Sequence, residues 1–297
     1  MKALVLSGAA NFGAMQAGAL EALFDSGYRP DLIVGTSAGA LNAIFLAADP
    51  SPSGAHALKD LWRQAGPSTV GVPTTFSAVR GLLSRRDGLV SNQMLSDFLR
   101  SNLPEAKTFG QLTSLAGVRA FAAAVDLESG ALRLFGDRGE DRLLDGAMAS
   151  VSVPPYYPPW EVDGRRYMDG GVLAKLPMEA AVERGAGQLV AINISNIKGS
   201  RQTAHGVLGL TGYSVSLMID KMTRDEVTSI HRRGVPLRYI HLDAPEDIPF
   251  WDYTKADELI DLGRELAQSH LEEEPLLAET GWRRLVRKFW PFKSRKD

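Results

Sequence analysis

Gly35-Thr36-Ser37-Ala38-Gly39 sets a serine at the centre of a G-x-S-x-G pentapeptide, the spacing of a nucleophile elbow. There the serine occupies a tight turn from strand to helix, and glycines two positions to either side let the two elements approach without a Cβ clash. The hydroxyl then stands over a helix N-terminus, where the Ala38 N–H and the helix dipole stabilise an oxyanion as it forms. Alone, the pentapeptide reads equally as a small-residue helix start capped by serine. Its flanks favour the nucleophile: Asp31-Leu32-Ile33-Val34 reads as a short buried strand, and Ala38 to Ala48 as a helix that stops before Asp49-Pro50.

A nucleophilic serine needs a base. Of the five histidines, His56, His205, His231, His241 and His270, only His241 has a neighbouring carboxylate in its strand, Asp243. Asp169 is the stronger candidate. It ends the strand "RRYM" and begins "DGGVLAKLP", and so lies at the carboxyl edge where open α/β sheets collect their sites. Gly170 and Gly171 let the backbone turn tightly beside it. Asp145 in "LLDGAMAS" is a rival whose context is that of a helix N-cap, and Asp126 in "AVDLESG" reads as a hairpin-turn residue with Ser129-Gly130.

A second turn, Gly8-Ala9-Ala10-Asn11-Phe12-Gly13, joins the first strand to the first helix and forms a cradle of backbone N–H groups suited to an anion. Ala10 stands where a dinucleotide fingerprint needs glycine, and no Gly-Lys-Ser/Thr closes the loop as a phosphate loop would. An oxyanion cradle beside an elbow is consistent with acyl transfer.

These residues must be held by a sheet. Lys2–Leu6 reads as a strand and Gly13–Asp25 as a helix, so the chain opens β-α-β-α. Residues 51–115 read as short helices covering the site, with Trp62, Phe76, Leu82, Leu83, Met94, Leu95 and Phe98 as acyl-groove lining or as plain core. Sheet signals return at "RAFAAAVDL", "ALRLFG", "RRYMDGG" and "QLVAINIS". Gly206–Ile230 reads as one long helix, "PLRYIHLDAP" as a strand and "DYTKADELIDLGRELAQSHLEEE" as an amphipathic helix. The expected fold is α/β, a three-layer α/β/α sandwich with a mostly parallel central sheet. The expected division is a hydrolase domain over residues 1–275 and a basic aromatic tail over 276–297.

Composition is that of a globular protein, 44% hydrophobic and 23% charged. The absence of cysteine excludes disulfides and thiolate metal sites. Ala3–Leu20 and Leu32–Ala48 are uncharged but broken by polar residues, so neither is expected to be a signal peptide or a transmembrane helix. The net charge of −2 is uneven: between Gly281 and Asp297 seven basic residues face Asp297 alone. A helix from Trp282 to Trp290 would set aromatic residues beside basic ones, as peripheral contact of 282–290 with an anionic membrane requires; the alternative is aromatics packed on the domain with solvated charges. No other basic patch accompanies the tail, so nucleic acid is not an expected partner. The expected location is cytoplasmic, with contact at the inner membrane surface.

Taken in order, "SGAANFG", "GTSAG" and "DGG", with "AVDLESG" and "GAMASVSVPPYYPPW", resemble the patatin-like phospholipases over roughly Met1 to Ser195. The resemblance implies a Ser-Asp dyad in place of a triad, with Ser37 as nucleophile and Asp169 as base. It further implies an oxyanion hole from the N–H groups around Gly8, Ala9, Ala10 and Asn11, with Ala38. The implied activity is hydrolysis of lipid acyl esters with no metal and no cofactor. Ala9 and Ala10 depart from the family's glycines, and Phe12 from its basic residue; a positive φ at either alanine costs on the order of 1 kcal/mol. The same dyad would also serve an acyltransferase or thioesterase, and an altered loop could leave a lipid-binding scaffold. No feature fixes the oligomeric state.

Overall fold

The computed structural model describes residues 1–71 and 87–273, except the side chain of Leu208. The segment with Phe76, Leu82 and Leu83 and the tail 276–297, including 282–290, lie outside the described residues.

One sheet holds β1 (Lys2–Leu6), β2 (Leu32–Thr36), β3 (Arg119–Asp126), β4 (Leu132–Phe135), β5 (Trp160–Val162), β6 (Arg165–Asp169), β7 (Gln188–Ser195) and β8 (Leu237–Asp243). The strands β3-β2-β1-β7-β8 are parallel neighbours. β4 and β6 pair antiparallel with β3, and β5 antiparallel with β6. The sheet is therefore mixed, with a parallel core.

Helices α1 (Gly13–Asp25) and α2 (Ala38–Ala48) follow β1 and β2 directly. The cover over the next segment comprises α3 (Pro52–Gln64), α4 (Pro67–Val70), α5 (Gln93–Asn102) and α6 (Phe109–Ala116). Beyond β4 come α7 (Leu143–Val151), α8 (Met178–Glu183), α9 (Ile197–Gln202), α10 (Gly206–Arg232) and α11 (Ala256–Glu273). Strand alternation sends Leu4 and Leu6 into one core with Met15, Leu20 and Ile44. It sends Ala3 and Val5 into a second core with Leu176, Met178 and Ile230. Apolar side chains on both faces of the strands require helices on both faces, which gives the three layers.

Two local differences from the sequence expectation concern length. β2 runs on to Thr36, and Asp31 sits before it, where its carboxylate accepts from the Lys2 N–H at 2.7 Å. β5 and α9 were not anticipated, because both are too short to carry a periodic pattern. No described helix is long and apolar enough to cross a membrane.

Candidate active site

The register of β3 brings the two candidate catalytic residues together. Ala122 and Ala123 pair with Gly35 and Thr36 of β2, while Ala124 and Val125 pair with Asp169 and Met168 of β6. β4 pairs with all four of these residues and so occupies the opposite edge of β3. β2 and β6 therefore meet end to end along one edge, Thr36 next to Asp169. Ser37 leaves the sheet where β6 ends.

Ser37 adopts φ 56° and ψ −126°, a left-handed conformation that a non-glycine residue holds only when its surroundings impose it. The glycines impose it here. A Cβ on Gly35 would lie 2.1 Å from the Gly39 carbonyl oxygen, and one on Gly39 2.5 Å from that of Leu6. Strand and helix close to a distance that only hydrogen on Cα allows. The Ser37 N–H donates to the Ser150 hydroxyl at 2.8 Å, which donates to the Ala123 carbonyl at 2.6 Å. Ser150 of α7 thus fixes the elbow to β3. Sequence reasoning missed it, since a lone helical serine has no signature beyond lying in the "GAMASVSVPP" block.

Asp169 is 4% exposed. Burial pushes its carboxyl up to about 6, against hydrogen bonds from the Ser37 hydroxyl and the Gly171 N–H; the latter is 2.7 Å long. A carboxylate with that pKa is ionised at neutral pH and more basic than an ordinary aspartate. Gly170 permits the turn: a Cβ there would lie 2.5 Å from the Ala123 carbonyl oxygen. The segment after it ties the site together, because the Ala174 carbonyl accepts from the Thr36 hydroxyl at 2.8 Å and the Lys175 carbonyl accepts from the Gly8 N–H at 2.9 Å. Lys175 Nζ in turn donates to the Ile194 carbonyl of β7 at 2.6 Å.

Of the N–H groups expected around the oxyanion hole, two are engaged within the protein. The Gly8 N–H is already engaged, and the Asn11 N–H points to the Phe250 carbonyl at 3.5 Å. Asn11 is buried and anchors the loop through its side chain, which donates to the Pro249 and Asp252 carbonyls at 2.9 and 2.8 Å. The N–H groups of Ala9 and Ala10 find no acceptor among the described residues. With Ala38, at the unsatisfied first turn of α2, they are the donors left for an oxyanion. Ala10 has φ 49°, the strain expected where alanine replaces glycine. Gly8 matters by size: a Cβ on it would meet Ser37 Cβ at 3.3 Å.

Under this loop runs a buried polar chain. Trp62 Nε1 donates to Asn42 Oδ1, Asn42 Nδ2 to Gln16 Oε1, and Gln16 Nε2 to the Ser7 carbonyl, at 2.8, 2.9 and 2.8 Å. It links α3, α2 and α1 to Ser7, the residue between β1 and the loop. Trp62 is thus a structural residue; Leu95 is also buried, Phe98 packs on the core and Met94 is exposed.

The rival groups take other roles. Asp126 Oδ1 accepts from the Glu128 N–H at 2.9 Å in the expected hairpin turn. Asp145 is not the N-cap, which is Arg142; it lies in the first turn of α7 and accepts from Trp160 Nε1 at 3.0 Å. His241 lies 3.3 Å from Asp243, His56 3.8 Å from Glu21, and His270 bonds the His241 carbonyl. A cavity of about 320 Å³, lined by Phe45, Leu58 and Leu61, sits at the far end of α2 from Ser37. Among the described residues no His, Asp and Glu cluster is arranged to hold a metal ion.

An elbow serine and a buried aspartate thus meet at one edge of the sheet, with unengaged N–H groups beside the serine. The patatin-like phospholipase family profile matches residues 4–182, and the chain belongs to that family. It is 30% identical over 206 residues to patatin-like phospholipase domain-containing protein 7 of Rattus norvegicus, and 29% identical to the Mus musculus protein of the same name. Each alignment covers 69% of this chain and 14% of the relative. The chain therefore spans only a small part of the length of these relatives. Among solved structures, VipD from Legionella pneumophila has a TM-score of 0.49 at 14% identity, covering 92% of this chain and 67% of VipD. The ExoU-SpcU complex from Pseudomonas aeruginosa gives 0.46 at 18% identity, covering 92% and 51%.

Proposed function

We propose that the chain is a serine lipid acyl hydrolase, of esterase, phospholipase A or lysophospholipase type, working through a Ser37-Asp169 dyad. The observation that carries this reading is Ser37, held at positive φ where β2 ends against β6, with the buried carboxylate of Asp169 at the same junction. Asp169 accepts the Ser37 proton as Oγ attacks the ester carbonyl. The Ala9, Ala10 and Ala38 N–H groups receive the oxyanion. As the tetrahedral intermediate collapses, the ester C–O bond breaks and protonated Asp169 gives its proton to the departing alkoxide, leaving an acyl-serine. Water, deprotonated by Asp169, then attacks the acyl-serine; fatty acid leaves and Ser37 regains its proton.

The test is turnover of a p-nitrophenyl ester panel by Ser37→Ala and Asp169→Asn. Each is expected to lose on the order of 10³-fold or more in kcat. Unchanged turnover in Ser37→Ala removes Ser37 from the mechanism. Supplying glycerol during turnover separates hydrolysis, which yields free fatty acid only, from transfer, which yields acylglycerol. The basic aromatic segment 282–290 is part of the same proposal, as a salt-sensitive tether to anionic lipid.

A further inference from the structure

We propose that the amino-terminal half of α10 is a lipid-surface docking element that seats the mouth of the site on a bilayer; this rests on the lipid hydrolase reading above. From Gly206 to Ile219 the helix carries no charged residue. Val207, Leu210 and Met218 are 82, 55 and 65% exposed, with Val215, Leu217 and Met222 also exposed. Among the described side chains of this stretch, only Gly209, Tyr213, Ser216 and Ile219 are half-buried, on the side where α9 packs and the Ser216 hydroxyl meets that of Ser200 at 3.3 Å. An apolar surface so exposed marks an interaction site.

Two further features select a lipid surface. The Thr and Ser hydroxyls of this stretch are turned back on the helix: those of Thr211, Ser214 and Ser216 donate to the carbonyls of Val207, Leu210 and Gly212 at 2.8, 2.8 and 3.1 Å. Hydroxyls satisfied within the helix enter an apolar phase without losing hydrogen bonds to water. The second feature is position. The Glu179 N–H donates to Glu226 at 2.8 Å, so α10 packs alongside α8, the helix that follows Asp169. α10 begins beyond the carboxyl end of β7 and runs back to the start of β8, which is parallel to β7, so its amino-terminal half lies toward the sheet edge that carries Ser37. Charged residues begin only at Asp220, Lys221 and Arg224, so the helix divides lengthwise into a docking half and a solvated half.

The test uses the full chain. Ser37→Ala protein is sedimented with vesicles of equimolar phosphatidylcholine and phosphatidylglycerol at high salt, where a basic tether is screened but apolar docking is not. Binding is expected, and Leu210→Asp with Met218→Asp is expected to weaken it about tenfold per residue. In a background with Ser37 intact, the double variant is expected to hydrolyse soluble p-nitrophenyl butyrate at the parent rate, which shows that it folds. Binding equal to that of the parent overturns the proposal. So does a dimer that the double variant splits while vesicle binding persists, since the face then belongs to a second copy. A fluorophore on Met218→Cys that is already blue-shifted in buffer also overturns it, because the chain itself then covers the face. Failure of the parent to turn over any ester falls on the hydrolase reading, while vesicle binding is read separately.

Discussion

Thr36 and Asp169 pair with consecutive residues of β3, Ala123 and Ala124, on the same edge. Two strands running in opposite senses thus end against each other, and the nucleophile and its base are supplied from positions far apart in the chain. The junction leaves little room, which makes it sensitive to added atoms.

Gly35→Ala is expected to destabilise the fold by about 3 kcal/mol or more, because the new Cβ meets backbone of Gly39 at 2.1 Å. Urea unfolding compared with the parent measures this. A loss under about 1 kcal/mol would mean that strand and helix do not close as tightly as the geometry requires.

Asp169 links pH to both activity and stability. kcat/KM for a soluble ester is expected to fall with a single-proton slope as pH drops below about 6. Its folded pKa lies above the ordinary 3.8, so its stabilising contribution is present below pH 4 and is lost as pH rises through about 6. Asp169→Asn is therefore expected to be inactive yet more stable than the parent above pH 6, by at most about 3 kcal/mol. Thermal unfolding of both proteins at pH 4 and pH 8 tests the sign.

Ala9 and Ala10 respond oppositely to glycine. At Ala10, φ 49° is relieved by glycine, so Ala10→Gly is expected to gain up to about 1 kcal/mol and keep its activity. At Ala9, φ −153° offers no such relief, and Ala9→Gly is expected to lose about 0.5 kcal/mol through the greater freedom of the unfolded chain. Matching signs in unfolding experiments would contradict the strain assigned to Ala10.

Ser150→Ala leaves the Ser37 N–H without its partner. The expected cost is about 1–3 kcal/mol of stability, with kcat reduced and KM little changed, since Ser150 positions the elbow and does not touch substrate. A larger effect on KM than on kcat would place it in the binding groove instead.

Much of this site is legible in the chain because local rules and global fold agree there. Gly35, Gly39 and the apolar run from Leu32 announce a strand-turn-helix, and Ala38–Ala48 forms the helix expected. Asp169 is legible as a strand-end carboxylate before two glycines. What the sequence leaves out is pairing between distant residues. The Gly8 N–H looks like a hole donor until Lys175, far along the chain, takes it. The chain from Trp62 to Ser7 is likewise invisible, because its aromatic member reads as groove or core and its polar members as ordinary helix residues.

The most direct measurement is intact-mass and peptide analysis of folded protein after reaction with a fluorophosphonate. One adduct is expected, on Ser37, absent in Ser37→Ala and formed much more slowly in Asp169→Asn at pH 8. Folded wild-type protein that takes no adduct, or takes it at another serine, would contradict the assignment of Ser37 and Asp169 as the catalytic pair.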